Sequence, residues 1–490
     1  MKHVYLTIFD IDIEKGGKTS ALLTRAKKFN EQQLNTDIIT FDYKTDYDKI
    51  MNKLIDFGKI DKNTKLYNQF HHFEKKSLNN KSEKININKK YMEIIGNSIN
   101  IETDEKNTEL YSKFTGKKLG VLKSKDDDFT LDIIENDHKV ERVYCVNNWI
   151  RRIKHYDIEG TFACEVFFNR NGQPFLRRDI NKKNGKLKDI YLLSESKHFK
   201  NNIELGKYFI SDLITDDKDN IIICDGPGSV DKIINSTIPH VQKYAVMHTT
   251  HTLPNGEIKL KEEKVLKNSN KLDGIVFLTN EYIKDVKDKY NITNAYQINN
   301  FVNDIPEISK NQPNKIIGCI SRLSKNKGFD IFIKVAEQVI ALEPNAEFHI
   351  YGEGDYKSSL HKLIHDKNLE TKIKLFNYTN NPYQTLESFK CVLSTSQSEV
   401  QSLSMIEAML KGKPVVAFDI KYGPSEFIEN DVNGYLIPNK NEEKMVEAIL
   451  EIINDDEKAV RLGTNARESV LSKFNPQNIV NNWLELFNKK

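Results

Sequence analysis

Through the first 75 residues, short apolar runs alternate with amphipathic stretches. Residues 4–9 predict a strand and 19–29 a helix with Leu22, Leu23 and Ala26 on one face. A second strand over 37–41 and a second helix over 47–57 follow. That order belongs to a parallel α/β sheet. From about residue 85 to 198 the rhythm changes. Period-two segments at 97–102, 120–123, 129–134, 140–145, 149–156, 162–169 and 175–179 predict strands, and long helical periodicity is absent. Asn169-Arg170-Asn171-Gly172, between two strong strands, is a hairpin signal. The expectation is a mostly antiparallel β unit inserted into an α/β scaffold.

The α/β alternation resumes near 199, with strands predicted at 220–224, 244–248, 274–278 and 295–301. After Asn311-Gln312-Pro313, read as a linker, a second series runs through 315–321, 347–351, 372–376, 391–394, 414–418 and 434–437. A last amphipathic helix is expected over 476–488, and the Lys/Asn/Ser-rich stretch 79–90 reads as a surface connection. The expected layout is one α/β unit from 1–84 and 199–305, a β unit at 85–198, a second α/β unit at 306–475, and a terminal helix at 476–490. At roughly 150 residues per domain, 490 residues agree with about three domains. Two facing parallel units bring two topological switch points and a cleft between them, where ligands bind.

Composition mainly excludes. A 10% aromatic share is too high for a disordered chain, and no apolar run approaches the roughly 20 residues of a membrane span. A net charge of +3 does not indicate a dedicated nucleic-acid binder. Residues 1–9 carry a short apolar run without a small-residue cleavage site, which reads as a first strand and not a signal peptide. Cys145, Cys164, Cys224, Cys319 and Cys391 are too scattered for a disulfide framework or a zinc site. Reduced cysteines in a cytoplasmic protein are expected, acting as small core hydrophobes.

Four segments carry candidate chemistry. Glu14-Lys15-Gly16-Gly17-Lys18-Thr19-Ser20 opens a helix after the first strand, where glycines permit close backbone approach and free N–H groups attract phosphate. It lacks the spacing of a nucleoside-triphosphatase loop, and an ordinary strand–helix turn is the alternative. Ser321-Arg322-Leu323-Ser324-Lys325-Asn326-Lys327-Gly328 places Arg322 and Lys327 at the carboxyl end of a strand, suited to a pyrophosphate. A solvated basic turn is the alternative, and Lys325 reads as surface. In the segment 396–409, Glu407 in the first turns of a helix suits a diol such as ribose, and Glu399 on the preceding loop suits a sugar hydroxyl. A helix-end charge and a plain loop acid are the alternatives. In Tyr244-Ala245-Val246-Met247-His248-Thr249-Thr250-His251, His248 ends a strand facing the cleft, where it suits a substrate oxygen. A structural histidine is the alternative, and His251 shares the ambiguity. No third ligand accompanies the pair to make a metal site.

In that order, Gly16-Gly17, His248, Arg322 with Lys327, and Glu399 with Glu407 resemble the family 4 retaining glycosyltransferases of GT-B fold, whose signature is Glu-x₇-Glu. Tyr351-Gly352-Glu353-Gly354 and Asn433-Gly434-Tyr435-Leu436 also match that family. The chain resembles most the TarM-type bacterial enzymes, which glycosylate wall teichoic acid and whose relatives glycosylate Ser-Asp-repeat adhesins. Shared segments include Lys15-Gly16-Gly17, Thr40-Phe41-Asp42-Tyr43-Lys44, Cys224-Asp225-Gly226-Pro227-Gly228-Ser229 and the run from Ala417 to Ser425. The resemblance spans nearly the whole chain.

The resemblance implies a fold of two facing Rossmann-like domains, acceptor side first and nucleotide-sugar side second, with the terminal helix packing back on the first. The β insertion would serve homo-oligomerisation and acceptor binding. Gly16 and Gly17 would back the donor diphosphate, Arg322 and Lys327 neutralise it, and Glu407 with Leu403 and Ser404 hold the nucleotide. Glu399 would contact the transferred sugar and His248 face the reacting centre. The implied donor is UDP-N-acetylglucosamine or UDP-glucose, with no cofactor and no metal. The implied acceptor is a polyanion, either teichoic acid or Ser-Asp-repeat protein, met in the cytoplasm with at most peripheral membrane association and no nucleic acid. Arg177, Arg178, Lys182, Lys183, Lys186 and Lys188 on the insertion would guide it, unless they are a solvated hairpin edge. One departure stands out: TarM-type enzymes read Glu-Gly-Gln-Gly where this chain reads Glu399-Val400-Gln401-Ser402. It leaves open a weak or inactive partner subunit. A nucleotide-sugar epimerase is a third reading.

Overall fold

The computed structural model describes residues 2–13, 16–78, 87–104, 107–125, 128–214, 219–236, 238, 240–302, 307 and 315–489. Glu14, Lys15, much of the polar stretch after Asn79 and the linker Asn311-Gln312-Pro313 lie outside these residues.

Two parallel sheets form the α/β halves. The first has seven strands, in the order Ala295–Gln297, Gly274–Phe277, Val241–Met247, Asn220–Asp225, His3–Thr7, Asn35–Thr40 and Leu66–Asn68. Asn220–Asp225 is buried along its whole length. Its Ile221-Ile222-Ile223 core suits a strand covered by helices on both faces, where β-branched side chains pack on the pleat. The second has six strands, in the order Ile373–Phe376, Glu347–Tyr351, Ile316–Ile320, Cys391–Ser394, Val415–Asp419 and Gly434–Pro438. In each sheet the first strand in sequence lies inside, with later strands added on both sides. Each therefore has a switch point, beside His3–Thr7 in one and Ile316–Ile320 in the other.

Within the sequence of the first sheet, ten antiparallel strands from Ser98–Asp104 to Lys197–Phe199 pair in chain order. This sheet is inserted in the crossover that carries the chain from the edge strand Leu66–Asn68 to the central Asn220–Asp225. Its late strands join the first core through Phe167, Phe175, Leu176, Ile190 and Leu192, which pack with Phe70 and Phe73. A buried Arg151–Glu74 ion pair at 2.6 Å and an Asn169 amide donating to Ser77 at 2.9 Å seal the junction. The hairpin at Asn169-Arg170-Asn171-Gly172 forms, with Phe168 opposite Pro174. Strands Asn107–Ser112, Leu187–Leu192, Lys197–Phe199 and Leu66–Asn68, and the helix Ile87–Gly96, were not evident from apolar pattern, because these segments are short or largely polar. The strand expected over 295–301 stops at Gln297, since Asn299 and Asn300 turn to bond the second half.

All five cysteines are free thiols, and all but Cys164 are buried. No described helix is long and apolar enough to cross a membrane.

The chain ends on the helix Pro476–Asn488, which leaves the second half and packs into the first core through Ile479, Val480, Trp483, Leu486 and Phe487. Phe29 meets Trp483 and Phe487 edge-on at 5.9 and 6.1 Å, and the Arg25 guanidinium lies 5.1 Å over the Trp483 ring. Trp483→Ala is expected to destabilise the first half by about 3–5 kcal/mol, as for other buried large aromatics. Urea unfolding followed by near-UV circular dichroism checks this. A loss under about 1 kcal/mol would mean that this helix is not part of the core.

Candidate active site

Two loops leave the carboxyl ends of adjacent strands at the second switch point. One, after Ile316–Ile320, carries Arg322 and Lys327. The other, after Cys391–Ser394, carries 395–402. They interlock. Thr395 Oγ1 donates to the carbonyls of Lys327 and Gly328 at 3.1 and 3.0 Å, and the Gln397 N–H donates to Asn326 O at 3.0 Å. Gly328 sits at φ +69°, and a Cβ there would lie 2.1 Å from Thr395 O, so conformation and space both demand glycine. The interlock sets Lys327 Nζ on Glu399 Oε1, which also accepts from Ser396 Oγ at 3.0 Å. Both side chains stay partly open, 20% exposed for Lys327 and 14% for Glu399. Arg322 is exposed on the same loop.

After Ser402 the helix Leu403–Leu410 begins, with no side chain capping its first N–H groups. Ser402 Oγ instead meets Ser404 Oγ at 3.3 Å. Leu403 and Ser404 are half-buried at its start, and Glu407 is buried one turn on, among Met405, Ile406 and Met409. A helix start beside two cations is an anion site in the making.

The first half carries the remaining candidates. Gly17, at φ +61°, precedes the helix Lys18–Glu31, and a Cβ there meets nothing within 4 Å. Its glycine is required by conformation alone, whereas Gly16 has open space and no such constraint. The Lys18 ammonium lies 3.2 Å from where a Cβ on Gly226 would stand. His248 follows the strand Val241–Met247, with Nε2 2.5 Å from Asp225 Oδ1. Arg25 Nη1 donates to both Asp225 oxygens at 2.7 Å. Burial opposes the charge of Asp225, yet Arg25 and His248 outweigh it and hold the carboxyl below its ordinary value. Burial pushes the His248 imidazolium down, against the pull of Asp225.

A seam of contacts joins the halves through 398–402. The Thr250 and Ser398 hydroxyls bond at 3.0 Å, which brings the His248 and Glu399 loops together. Gln401 accepts from the Asn300 N–H at 2.9 Å and donates to Asn299 Oδ1 at 3.0 Å. The Tyr422 N–H donates to Glu399 O at 2.8 Å, while the buried Tyr422 ring stacks on Tyr282 at 4.4 Å and its hydroxyl donates to Asp285. His251 stacks on the same Tyr282 ring at 5.7 Å and so serves the seam. Val400 is buried in the first core with Tyr422, and its carbonyl stands 2.2 Å from where a Cβ on Gly423 would be. The Val400 side chain therefore fills the joint between the halves, and Ser402 stands just before the helix without capping it through its side chain.

Lys327, Glu399, Arg322, Leu403, Ser404 and Glu407 thus lie on neighbouring loops and one helix of the second half, and Gly17 and His248 on the first half. Sequence reasoning gave no role to Arg25, Asp225, Lys18 or Tyr422. The available signal was a carboxylate closing the apolar run Ile221-Ile222-Ile223-Cys224 before Gly226-Pro227-Gly228. On the insertion, Arg177 pairs with Asp179, Arg178 with Glu165, Lys182 with Asp157 and Lys188 with Asp189, so few of those cations stand alone. A cavity of about 260 Å³ lies between insertion and first half, lined by Phe9, Phe41, Tyr43, Arg152, Arg178 and Lys232 among others. It adjoins the switch point, since Lys232 Nζ donates to Gly228 O at 3.0 Å.

Residues 300–469 match the family described as glycosyl transferases group 1. The chain is 39% identical to the poly(ribitol-phosphate) alpha-N-acetylglucosaminyltransferase of Staphylococcus aureus (strain COL), over 100% of both chains. It is 26% identical to the poly(glycerol-phosphate) alpha-glucosyltransferase of Bacillus subtilis (strain 168), over 71% of this chain and 53% of the other. A solved point mutant of S. aureus TarM, in complex with Fondaparinux, alpha-GlcNAc-glycerol and UDP, superposes with a TM-score of 0.95 at 39% identity, over 100% of both chains. The pneumococcal O-GlcNAc transferase GtfA, in complex with UDP and GlcNAc, shares the fold, with a TM-score of 0.75 at 18% identity over 100% of this chain and 99% of that one. The chain accordingly belongs to the group 1 glycosyl transferases, in the family of the staphylococcal TarM enzyme, and is a UDP-sugar glycosyltransferase.

Proposed function

We propose that this enzyme transfers N-acetylglucosamine, with retention, from its UDP-sugar to a hydroxyl of a polyol-phosphate chain, working as a GT-B pair of facing domains. The observation that carries the reading is the meeting of Arg322, Lys327 and a helix start at one switch point. Negative charge builds on the departing diphosphate in the transition state, and fixed cations and N–H dipoles aimed there lower the barrier. The two cations supply the countercharge that a metal ion supplies elsewhere, so the proposal needs no metal. The diphosphate competes with Glu399 for Lys327, which frees the Glu399 carboxylate for a hydroxyl of the transferred sugar. Gly17 lets the backbone approach the diphosphate from the facing wall, and Glu407 accepts from the ribose.

The named activity of the S. aureus relative supports N-acetylglucosamine and polyribitol phosphate over the alternatives. The cavity beside Gly228 supports the acceptor's approach: aromatic rings for a polyol backbone, with Arg152, Arg178 and Lys232 for its phosphates. A partner subunit without turnover was suggested by the Val400/Ser402 departure, and the burial of Val400 in the joint weakens that support. The edge strand Ser98–Asp104 exposes Ile99 and Ile101, which supports self-association through the insertion. Dependence on a UDP-sugar supports a cytoplasmic site of action.

Offered UDP-N-acetylglucosamine and UDP-glucose with polyribitol phosphate, polyglycerol phosphate and a Ser-Asp-repeat peptide, the enzyme is expected to add N-acetylhexosamine to a polyol phosphate, read by mass spectrometry. Transfer to the peptide alone, or to none, contradicts the proposal. Lys327→Ala and Arg322→Ala are each expected to lower kcat on the order of 10²–10³-fold, and an unchanged kcat would remove them from catalysis. Lys232→Met should raise the acceptor KM about tenfold, the worth of one charge-assisted hydrogen bond, while the donor KM holds; equal effects on both would place Lys232 elsewhere. Val400→Gly should cost about 2–4 kcal/mol of stability and leave donor choice unchanged, and a switch of donor would return Val400 to the sugar site.

A further inference from the structure

Behind His248 lies a buried chain of three groups from three separate parts of the sequence. Arg25 comes from the helix Lys18–Glu31, Asp225 ends the strand Asn220–Asp225, and His248 follows the neighbouring parallel strand. Arg25 and Asp225 are each 1% exposed, and Arg25 is held from below by the Trp483 ring. Arg25 Nη1 binds both carboxylate oxygens at 2.7 Å, and Asp225 Oδ1 also meets His248 Nε2 at 2.5 Å.

Two constraints follow. A carboxylate paired with arginine only accepts hydrogen bonds, so the proton between Asp225 and His248 sits on Nε2. The charges facing the ring are Asp225, Arg25 and Lys18, and they give no net negative charge to hold an imidazolium in a buried place. Nδ1 is then a bare acceptor, and it has no hydrogen-bond partner among the described residues. We propose that Arg25 and Asp225 are positioning residues that fix His248 as the neutral Nε2–H tautomer and aim Nδ1, as an acceptor, at a hydroxyl of the transferred sugar. The sugar part of this inference rests on the glycosyl-transfer reading. His248 so held carries no proton to give to the departing diphosphate, which leaves that charge to Arg322 and Lys327.

The full chain, labelled with ¹⁵N-histidine and assigned by difference against His248→Gln, is expected to show the Nε2–H tautomer at neutral pH. In Asp225→Asn the amide oxygen must serve Arg25, so its NH₂ faces the ring and the proton moves to Nδ1. That variant should show the Nδ1–H tautomer and lose kcat on the order of 10²-fold, with donor KM within about threefold and UDP binding by calorimetry unchanged. Arg25→Met should instead convert His248 to the imidazolium at neutral pH, because Asp225 then faces it uncompensated. An Nδ1–H tautomer or an imidazolium in the unmodified enzyme, or unchanged kcat in Asp225→Asn, overturns the inference. The spectrum of the unmodified enzyme needs no turnover and uses the His248→Gln variant for assignment alone, so it decides the tautomer even if the transferase reading fails.

Discussion

The fit of Thr395 against Gly328 is the constraint on which the site depends. It locks two loops that leave adjacent strands of the second sheet, and so sets how close Lys327 stands to Glu399. The same stretch of chain is bonded at its backbone to Tyr422 and at its side chains to Thr250 and Asn300. One loop thus holds the charged pair and the joint between the halves. Any shift of one half against the other is felt at Glu399 through at most three residues of chain. A donor that takes Lys327 from Glu399 therefore acts on the joint as well as on the charge, a coupling that separate loops would not provide.

Charge is handled differently on the two walls. On the second half the cations are partly open to water and available to a ligand. On the first half Arg25 and Asp225 are fully enclosed, where desolvation opposes both charges and only a close, well-bonded pair repays it. A hydrophobic pair in their place would fill the same volume without that cost, but would leave His248 without an oriented partner. The Arg151–Glu74 pair, at the junction with the inserted sheet, reads as a device of register between two units. The near-balanced charge of the whole chain hides all of this, because the placement of a few groups decides the chemistry.

Much of this was legible in the sequence. Apolar β-branched runs such as Ile221-Ile222-Ile223 marked the central strands, and the helix over 476–488 was bounded by Pro476 and its own amphipathic period. Candidate residues on the second half were legible because each sits on the loop or the helix that follows a strand. The pairing of Arg25 with Asp225 was not, since the partners lie 200 residues apart. Val400 misled for a local reason. Its place where the resembling family has glycine suggested the sugar, whereas its side chain is buried in the core with Tyr422. The basic residues of the insertion were legible as charges, though not with the carboxylates that most of them face.

The central claim is that the Lys327–Glu399 pair is opened by the donor diphosphate. A crystal structure of this enzyme with UDP bound tests it most directly. The account predicts diphosphate oxygens within hydrogen-bond distance of both Lys327 Nζ and the Arg322 guanidinium, with Glu399 released from Lys327. A diphosphate bound away from both cations, with the Lys327–Glu399 pair intact, would contradict it.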